Sequence, residues 1–228
     1  MNSGVTIFGD PHGDFSTFHD VVVHETPQVA VILGDLDLER PLEEEAADLL
    51  NAGSELYWIT GNHDTDRDHW YDFLFGSKLA DQNIGGRVVT VNGIRIAGLG
   101  GVFRGTIWNP RDGSGEPRFR TRDDFIYANQ RNKWRGGLPR KHRSTIFPED
   151  IDALSYREAD VLVTHEAPSN HQFGFEVIDT LAEALGVKMI IHGHHHRDYE
   201  DVLPNGIKVI GVGKASYYRL PKLIVEAI

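Results

Sequence analysis

The chain contains no cysteine. It therefore has no disulfide bond, and it offers no thiolate as a nucleophile or a metal ligand. Any transition-metal site must be built from histidine, aspartate, asparagine or glutamate side chains. Because a chain without cysteine suits a reducing compartment, we expect a cytoplasmic location.

Long apolar runs are also missing. No stretch of about 18 apolar residues occurs, so we expect no transmembrane helix and no membrane partner. The sequence starts MNSGVTIF, without the basic and long apolar regions of a secretory signal. We therefore expect a protein that is not exported.

The composition that remains is typical of a globular protein. The 228 residues are 40% hydrophobic and 25% charged. A chain of this size can bury its own core, and we expect a single domain over residues 1–228. The net charge of −11 argues against a duplex nucleic acid as partner.

The charge is unevenly distributed along the chain. Residues 104–143 hold eleven Lys or Arg against four Asp or Glu. Residues 102–147 show no clear hydrophobic period, and we expect a basic loop or lid there, with a short helix near 122–134. Its guanidinium groups could bind further phosphates or an anionic partner, and a solvated, partly disordered loop is the alternative.

Short apolar runs and segments with helical spacing alternate in the first half of the chain, which favours parallel β-α-β units. The dipeptide Asn92-Gly93 between two apolar runs predicts a hairpin, so we expect a mixed α/β fold. The predicted strands are residues 5–8, 29–33, 56–59, 88–91, 94–97, 161–163, 189–191, 207–212 and 223–225. The predicted helices are residues 15–24, 41–51, 65–75 and 175–185.

Five of the predicted strands end in polar residues of similar kinds. The carboxyl ends of strands in α/β proteins meet at one crevice, so these side chains should converge. Side chains two residues apart in an extended chain share one side, which would let neighbouring ligands act in pairs. The residues concerned are Asp10, His12, Asp35, Asn62, His63, Asp64, His165, His194 and His196.

Such a set of carboxylates and imidazoles predicts a metal centre. Buried carboxylates repel one another, and divalent cations remove that cost. Seven ligands are too many for one ion that must also bind substrate, whereas two ions sharing a bridging carboxylate use them all. Mixed nitrogen and oxygen ligands suit Mn²⁺ best in our interpretation, with Fe, Zn²⁺, Co²⁺ or Ni²⁺ as alternatives.

These motifs resemble those of the calcineurin-like metallophosphoesterases, in the same order and over most of the chain. The resemblance implies a four-layer α-β-β-α sandwich with two mixed β-sheets. It also implies phosphoester hydrolysis by a hydroxide that bridges two divalent metals. The matching motifs are Asp10-x-His12, Gly34-Asp35, Gly61-Asn62-His63-Asp64, His165 and Gly193-His194-x-His196.

The same resemblance implies a role for each residue. The first metal would be held by Asp10, His12 and His196, and the second by Asn62, His165 and His194, with Asp35 as the bridge.

His63 would face the scissile phosphate as a catalytic residue and assist the leaving oxygen. Asp64, the next residue, would orient His63. Family members that act on phosphoproteins read Gly-Asp-x-x-Asp-Arg-Gly at the second motif. This chain has Asp37 and Arg40 at other offsets, which weakens the phosphoprotein-phosphatase interpretation.

The substrate stays open between a phosphorylated small molecule, a nucleotide and a phosphoprotein. Arg104 follows Gly100-Gly101 closely and is our predicted substrate-binding contact to phosphate. Aromatic residues such as Trp108 and Trp134 lie among the arginines and could stack on a nucleobase. A nucleotide phosphodiesterase or nuclease is therefore one alternative, and a non-catalytic metal-binding scaffold is another.

Overall fold

The computed structural model describes residues 2–222 of the chain. In that range the strands are β1 (Asn2–Phe8), β2 (Val29–Ile32), β3 (Glu55–Trp58), β4 (Val88–Val91), β5 (Ile94–Leu99), β6 (Val161–Thr164), β7 (Met189–His192), β8 (Tyr199–Val202), β9 (Lys208–Gly211) and β10 (Tyr217–Pro221). The helices are α1 (Ser16–Glu25), α2 (Leu42–Glu45), α3 (Ala47–Asn51), α4 (Asp68–Phe75), α5 (Arg122–Ala128), α6 (Pro148–Ser155) and α7 (Glu176–Leu185).

The strands form two mixed sheets. The first has the order β10-β1-β2-β3, with β1, β2 and β3 parallel and β10 antiparallel to β1. The second has the order β4-β5-β6-β7-β9-β8, with a parallel centre and an antiparallel strand at each edge. The parallel strands end at the same edge of each sheet, which positions the loops that follow them.

Alternating side chains divide the core into three parts. Val31 of β2 and Val163 of β6 lie in a cluster shared by the two sheets, whereas their neighbours Ile32 and Leu162 face outwards. Ile32 packs in a cluster with α1 to α4, and Leu162 in a cluster with α5 to α7. Three such interfaces require four layers, so the predicted α-β-β-α sandwich with two mixed sheets is confirmed.

The hairpin at Asn92-Gly93 is also confirmed. Both residues have left-handed backbone angles (φ 51° and 80°), and Val91 pairs with Ile94 across the turn. A two-residue turn with positive φ at both positions matches the twist of the flanking strands. The predicted strand at residues 223–225 lies outside the described residues.

The predicted helix over residues 41–51 is wrong as one element. Ala46 leaves helical angles (φ −93°, ψ 15°) and separates α2 from α3. Leu42 and Leu49, on either side of the break, are both fully buried in the cluster under the first sheet. Alanine is a strong helix former, so the sequence carries no signal for this break.

Residues 102–147, the basic segment, contain regular secondary structure as well as loops. It contains α5, which begins at a capping box formed by Thr121 and Asp124, and a 3₁₀ helix over Arg140–Ser144. Phe125 of α5 is buried with the outer helices of the second sheet. Several of its arginines pair with acidic residues elsewhere, and these pairs are Arg120–Asp152, Arg122–Asp150, Arg135–Asp72 and Arg140–Asp68.

None of the helices in residues 2–222 has the length and apolar character that crossing a bilayer requires.

Candidate metal centre

The nine polar residues predicted from the sequence follow five strands. Asp10 and His12 follow β1, Asp35 follows β2, and the 61–64 loop follows β3. The remaining three come from the second sheet, His165 after β6 and His194 and His196 after β7. The two sheets therefore contribute ligands to one crevice at their carboxyl ends.

The first group consists of Asp10, His12 and His196, whose ligand atoms all lie within 4.8 Å of one another. His12 Nε2 is 3.0 Å from His196 Nε2, and His196 Nε2 is 3.5 Å from Asp10 Oδ2. Two ring nitrogens at this distance require a proton or a cation between them. This group has the composition of a site for a transition-metal ion.

The second group consists of Asp35, His165 and His194, again within 4.8 Å. His165 Nε2 is 3.3 Å from Asp35 Oδ2 and 3.3 Å from Asn62 Oδ1. The amide oxygen of Asn62 is a further ligand atom on the same side. The structure therefore brings together the four residues that the sequence assigned to the second metal and the bridge.

Asp35 lies between the two groups. Its Oδ2 atom is 3.3 Å from His165 Nε2 and 3.6 Å from His12 Nε2, which belongs to the first group. A carboxylate that reaches both groups has the position required of a bridging ligand. Asp35 Oδ1 also accepts the backbone N–H of His63 at 2.7 Å, which ties the third motif to the second.

The electrostatics of these residues fit a cation. Asp10 is fully buried, and its Oδ1 has no hydrogen-bond partner among residues 2–222. Burial raises the pKa of Asp10 to about 7. Burial is the main cause that lowers the pKa of His194 to about 3, so its imidazole is neutral and able to coordinate. A divalent cation would satisfy the orphaned oxygen and stabilise the ionised carboxylate.

Outer contacts fix the orientation of two ligand imidazoles. His12 Nδ1 donates to Asp37 Oδ2 at 3.0 Å, and His165 Nδ1 donates to the carbonyl oxygen of Leu33 at 2.7 Å. Each bond places the proton on Nδ1 and leaves the lone pair of Nε2 for a metal. The hydrogen bond to Asp37 is also the main cause that raises the pKa of His12.

The backbone at the ligands is left-handed and not extended. His12 (φ 46°), Asp35 (φ 51°), His194 (φ 67°) and His196 (φ 55°) all adopt conformations that cost energy in non-glycine residues. The expectation that His194 and His196 share one side of an extended chain is therefore wrong. The turn sends His194 to the second group and His196 to the first.

Two motif glycines allow loops to approach the ligand carboxylates. A Cβ atom on Gly61 would lie 2.2 Å from Asp35 Oδ1, and one on Gly193 would lie 2.3 Å from Asp10 Oδ1. Any side chain at either position would displace a carboxylate of the candidate centre. The glycines therefore belong to the site although they offer no ligand atom.

His63 lies at the edge of this cluster. One of its ring nitrogens is within 4.8 Å of ligand atoms of His12 and Asp35, and the side chain is 42% exposed. Its Nδ1 is 3.2 Å from Asp66 Oδ2. An exposed imidazole beside the ligands can exchange a proton with a bound substrate.

The expectation that Asp64 orients His63 is not met by the geometry. Asp64 is buried, and its carboxylate accepts the backbone N–H groups of Asp35, Leu36 and Gly61 at 2.7–3.1 Å. Both oxygens are therefore occupied by the second and third motif loops. The carboxylate of Asp66, which the sequence pattern did not single out, lies 3.2 Å from Nδ1 of His63.

A family model for calcineurin-like phosphoesterases matches residues 4–198, which include every ligand described above. The chain belongs to the calcineurin-like phosphoesterase family. The resemblance inferred from the motifs is thereby confirmed. An uncharacterized protein of Haemophilus influenzae is 40% identical to this chain over 206 residues, or 90% of this chain and 88% of that protein.

Solved structures with low sequence identity share the fold. The TT1561 protein of Thermus thermophilus superposes with a TM-score of 0.56 at 14% identity, covering 93% of this chain and 89% of that one. A dimetal phosphatase from Danio rerio gives 0.53 at 12% identity, covering 95% and 89%. Phosphopantetheinyl hydrolase from Mycobacterium tuberculosis gives 0.50 at 13% identity, covering 94% and 92%.

The second motif of this chain does not supply an arginine to the crevice. Arg40 is exposed, and its Nε donates to Glu45 Oε2 at 2.6 Å on the outer surface. It therefore does not stand in for the arginine of the phosphoprotein-specific motif. The Oδ2 atom of Asp37 accepts a hydrogen bond from Nδ1 of His12.

Arg104, the predicted phosphate contact, is half-buried, and one nitrogen of its guanidinium donates hydrogen bonds within the protein. Its Nη1 donates to the carbonyl oxygen of Ser144 at 2.7 Å and to Thr145 Oγ1 at 2.9 Å. Burial lowers the pKa of Arg104. These contacts engage Nη1 of the guanidinium, and the substrate role of Arg104 stays a prediction.

Two further residues lie beside the centre that the sequence pattern did not indicate. Glu166 follows His165, is buried, and has its Oε2 3.9 Å from His194 Nε2. Arg111 lines the same cavity as His194 and Glu166. Glu166 was detectable as an acid next to a predicted ligand, whereas Arg111 is one of eleven basic residues in its segment and carries no distinguishing sequence signal.

Proposed function

We propose that this chain is a phosphoester hydrolase that uses two divalent metal ions, Mn²⁺ being the best match, held in the two ligand groups. The observation that carries the proposal is the position of Asp35, which reaches ligand atoms of both groups. The residues proposed as ligands are Asp10, His12, Asp35, Asn62, His165, His194 and His196.

Ions bound there would supply Lewis acidity toward a phosphoryl oxygen and would lower the pKa of water. The reaction consumes one water molecule. A new bond forms between its oxygen and phosphorus, the bond between phosphorus and the leaving oxygen breaks, and the leaving oxygen takes up a proton. We assign that proton donation to His63, the exposed imidazole beside the ligands.

The outer residues hold this arrangement in place. Asp37 and the carbonyl of Leu33 orient two imidazoles, and Asp64 ties the loops that carry Asp35 and the 61–64 motif. Since the second motif brings no arginine into the crevice, a phosphorylated small molecule or nucleotide fits the site better than a phosphoprotein.

The test is hydrolysis of p-nitrophenyl phosphate and bis-p-nitrophenyl phosphate by protein loaded with Mn²⁺. We expect turnover by the unmodified chain. His63→Ala should lower kcat by about 10²- to 10⁴-fold, the usual contribution of a general acid. His24→Ala serves as the control, because His24 is exposed at the end of α1 and its Nδ1 donates to the carbonyl oxygen of Asp20.

Metal content measured on the same samples separates the alternatives. His63→Ala should retain the metal content of the unmodified chain. Equal turnover of His63→Ala and His24→Ala would remove His63 from the mechanism. No turnover of any phosphoester by fully metal-loaded protein would overturn the hydrolase proposal and favour a metal-binding scaffold.

A further inference from the structure

A cavity of about 610 Å³ opens directly beside the candidate metal centre. His194, a member of the second ligand group, and Glu166 form its inner wall. Its size lies within the range of about 300–1,000 Å³ that is typical of small-molecule sites. A phosphoryl group at the metal ligands would leave most of this volume for the rest of the substrate.

One wall of the cavity is aromatic. Phe173 lines it and is 56% exposed, although it is a large hydrophobic residue. The Phe173 ring lies 6.0 Å from that of His195, which also lines the cavity and is stacked on His171 at 3.9 Å and 19°. Exposed aromatic faces arranged in this way bind planar rings by stacking.

Arg111 is the cationic side chain among the described residues that line the cavity. Among the described residues no acidic side chain pairs with its guanidinium, in contrast to Arg120, Arg122, Arg135 and Arg140 of the same segment. The Arg111 guanidinium lies 5.9 Å from the centre of the Phe175 ring, and its side chain is exposed. An unpaired guanidinium of this kind binds a phosphate through two parallel hydrogen bonds.

The polar groups at the cavity limit what can enter. Asn109 and Asp112 line it together with Arg111, and Glu166 lies deeper with its Oε1 accepting the backbone N–H of Phe103 at 3.0 Å. Asn109 and Asp112 are suited to hydroxyl or amino groups. Among the described lining residues Arg111 is accompanied by two carboxylates, so a bound anion has one cationic partner at most, and this lining does not suit a long polyanion.

We propose that this cavity is the leaving-group subsite of the enzyme and that it selects a nucleotide carrying one phosphate beyond the scissile one. The nucleobase stacks on Phe173 and His195, the ribose or base polar groups meet Asn109 and Asp112, and the second phosphate binds Arg111. This assignment rests on the proposed phosphoesterase function and adds the substrate class to it.

Binding can be tested without turnover. Adenosine 3′,5′-bisphosphate should bind to metal-loaded His63→Ala protein in a calorimetric titration. In the double variant with His63→Ala and Arg111→Ala this binding should be at least about tenfold weaker, because a charge-assisted contact to phosphate is lost. Phe173→Ala should weaken binding of the bisphosphate and of adenosine 5′-monophosphate alike, since both carry the base. Arg118→Ala and Tyr156→Ala are matched controls, because both side chains are exposed and neither lines the cavity.

Kinetics on the chain with His63 intact separates this proposal from the one on which it rests. Arg111→Ala should lower kcat/KM for the bisphosphate and leave that for ribose 5-phosphate unchanged. Equal effects of Arg111→Ala on both substrates, or no effect of Phe173→Ala on nucleotide binding, would overturn the subsite while His63-dependent hydrolysis of p-nitrophenyl phosphate persists. If the unmodified, metal-loaded chain does not hydrolyse p-nitrophenyl phosphate, the proposed function itself is overturned.

Discussion

His63 has two acidic neighbours in the chain that make different contacts. Asp66 Oδ2 is 3.2 Å from the ring nitrogen Nδ1 of His63, and both side chains are partly exposed. Asp64 is buried and accepts three backbone N–H groups instead. We therefore expect Asp66 to position the imidazole, whereas Asp64 holds the two motif loops together.

These contacts predict different losses on substitution. Asp66→Asn should lower kcat by about tenfold, with little change in the free energy of unfolding, because the orientation of His63 changes and the Asp66 side chain is exposed. Asp64→Ala should lower the free energy of unfolding by more than about 2 kcal/mol, because it leaves buried N–H groups without partners. Steady-state kinetics and urea denaturation of both variants provide the measurement. An unchanged kcat in Asp66→Asn would contradict the assignment.

Asp37 contacts the candidate metal centre through His12, one of the proposed ligands. Its carboxylate accepts from Nδ1 of His12 at 3.0 Å and so fixes the tautomer that coordinates. Asp37→Asn should weaken metal binding by about 10- to 100-fold, the usual effect of losing such an outer partner. Calorimetric metal titration measures this, with Asp48→Asn on the exposed face of α3 as control. Equal affinities in the two variants would exclude a role for Asp37.

The sequence predicted the ligands more readily than their supporting residues. Asp10, His165 and His194 follow apolar strands directly, and strand ends meet for topological reasons alone. Asp66 and Arg111 depend on where a 3₁₀ helix and a long loop turn, which the spacing of residues does not specify. Tertiary contacts thus decide which carboxylate and which arginine reach the centre.

At the level of the elements, burial determined what the sequence could reveal. Strands buried on both faces, such as β2 and β6, appear as continuous apolar runs and were predicted. The edge strand β8 reads YEDV, has three exposed residues and gave no signal. The helix α6, which starts at Pro148, follows the basic segment without a clear apolar period and was not predicted either.

The parallel pair β5 and β6 is held at its start by a buried carboxylate. Asp160 accepts the backbone N–H of Arg95 at 2.8 Å and its guanidinium Nη2 at 2.7 Å. Burial opposes ionisation of Asp160, but the hydrogen bonds from Arg95 outweigh it and lower the pKa below 3.8. The ionised carboxylate therefore adds stability above the unfolded pKa, and this stability is lost as pH falls through the folded pKa.

Asp160→Asn should accordingly cost about 2 kcal/mol of unfolding free energy at neutral pH. The difference from the unmodified chain should stay constant down to about pH 5 and shrink below about pH 4. Urea denaturation across this range measures it. Asp152→Asn, which removes an exposed ion pair with Arg120, should change stability by less than about 1 kcal/mol at any pH. A difference for Asp160→Asn that grows on acidification would contradict the sign.

For the whole molecule, the candidate centre connects the two sheets. Asp10 and Asp35 come from the first sheet and His165 and His194 from the second, so bound ions would join layers that otherwise contact through apolar side chains. Binding to the folded state at 100 times the dissociation constant stabilises it by about 2.7 kcal/mol. Mn²⁺ should therefore raise the melting temperature of the unmodified chain, and EDTA should reverse the rise. Asp35→Asn should show a much smaller shift, and equal shifts in both proteins would place the ions elsewhere.

The central claim is that two ions share Asp35, and anomalous diffraction from crystals of the Mn²⁺-loaded protein tests it most directly. The account predicts two peaks roughly 3.5–4 Å apart, one beside Asp10, His12 and His196 and the other beside Asn62, His165 and His194. The Asp35 carboxylate should lie between them. A single peak at full loading, or two peaks neither of which contacts Asp35, would contradict the account.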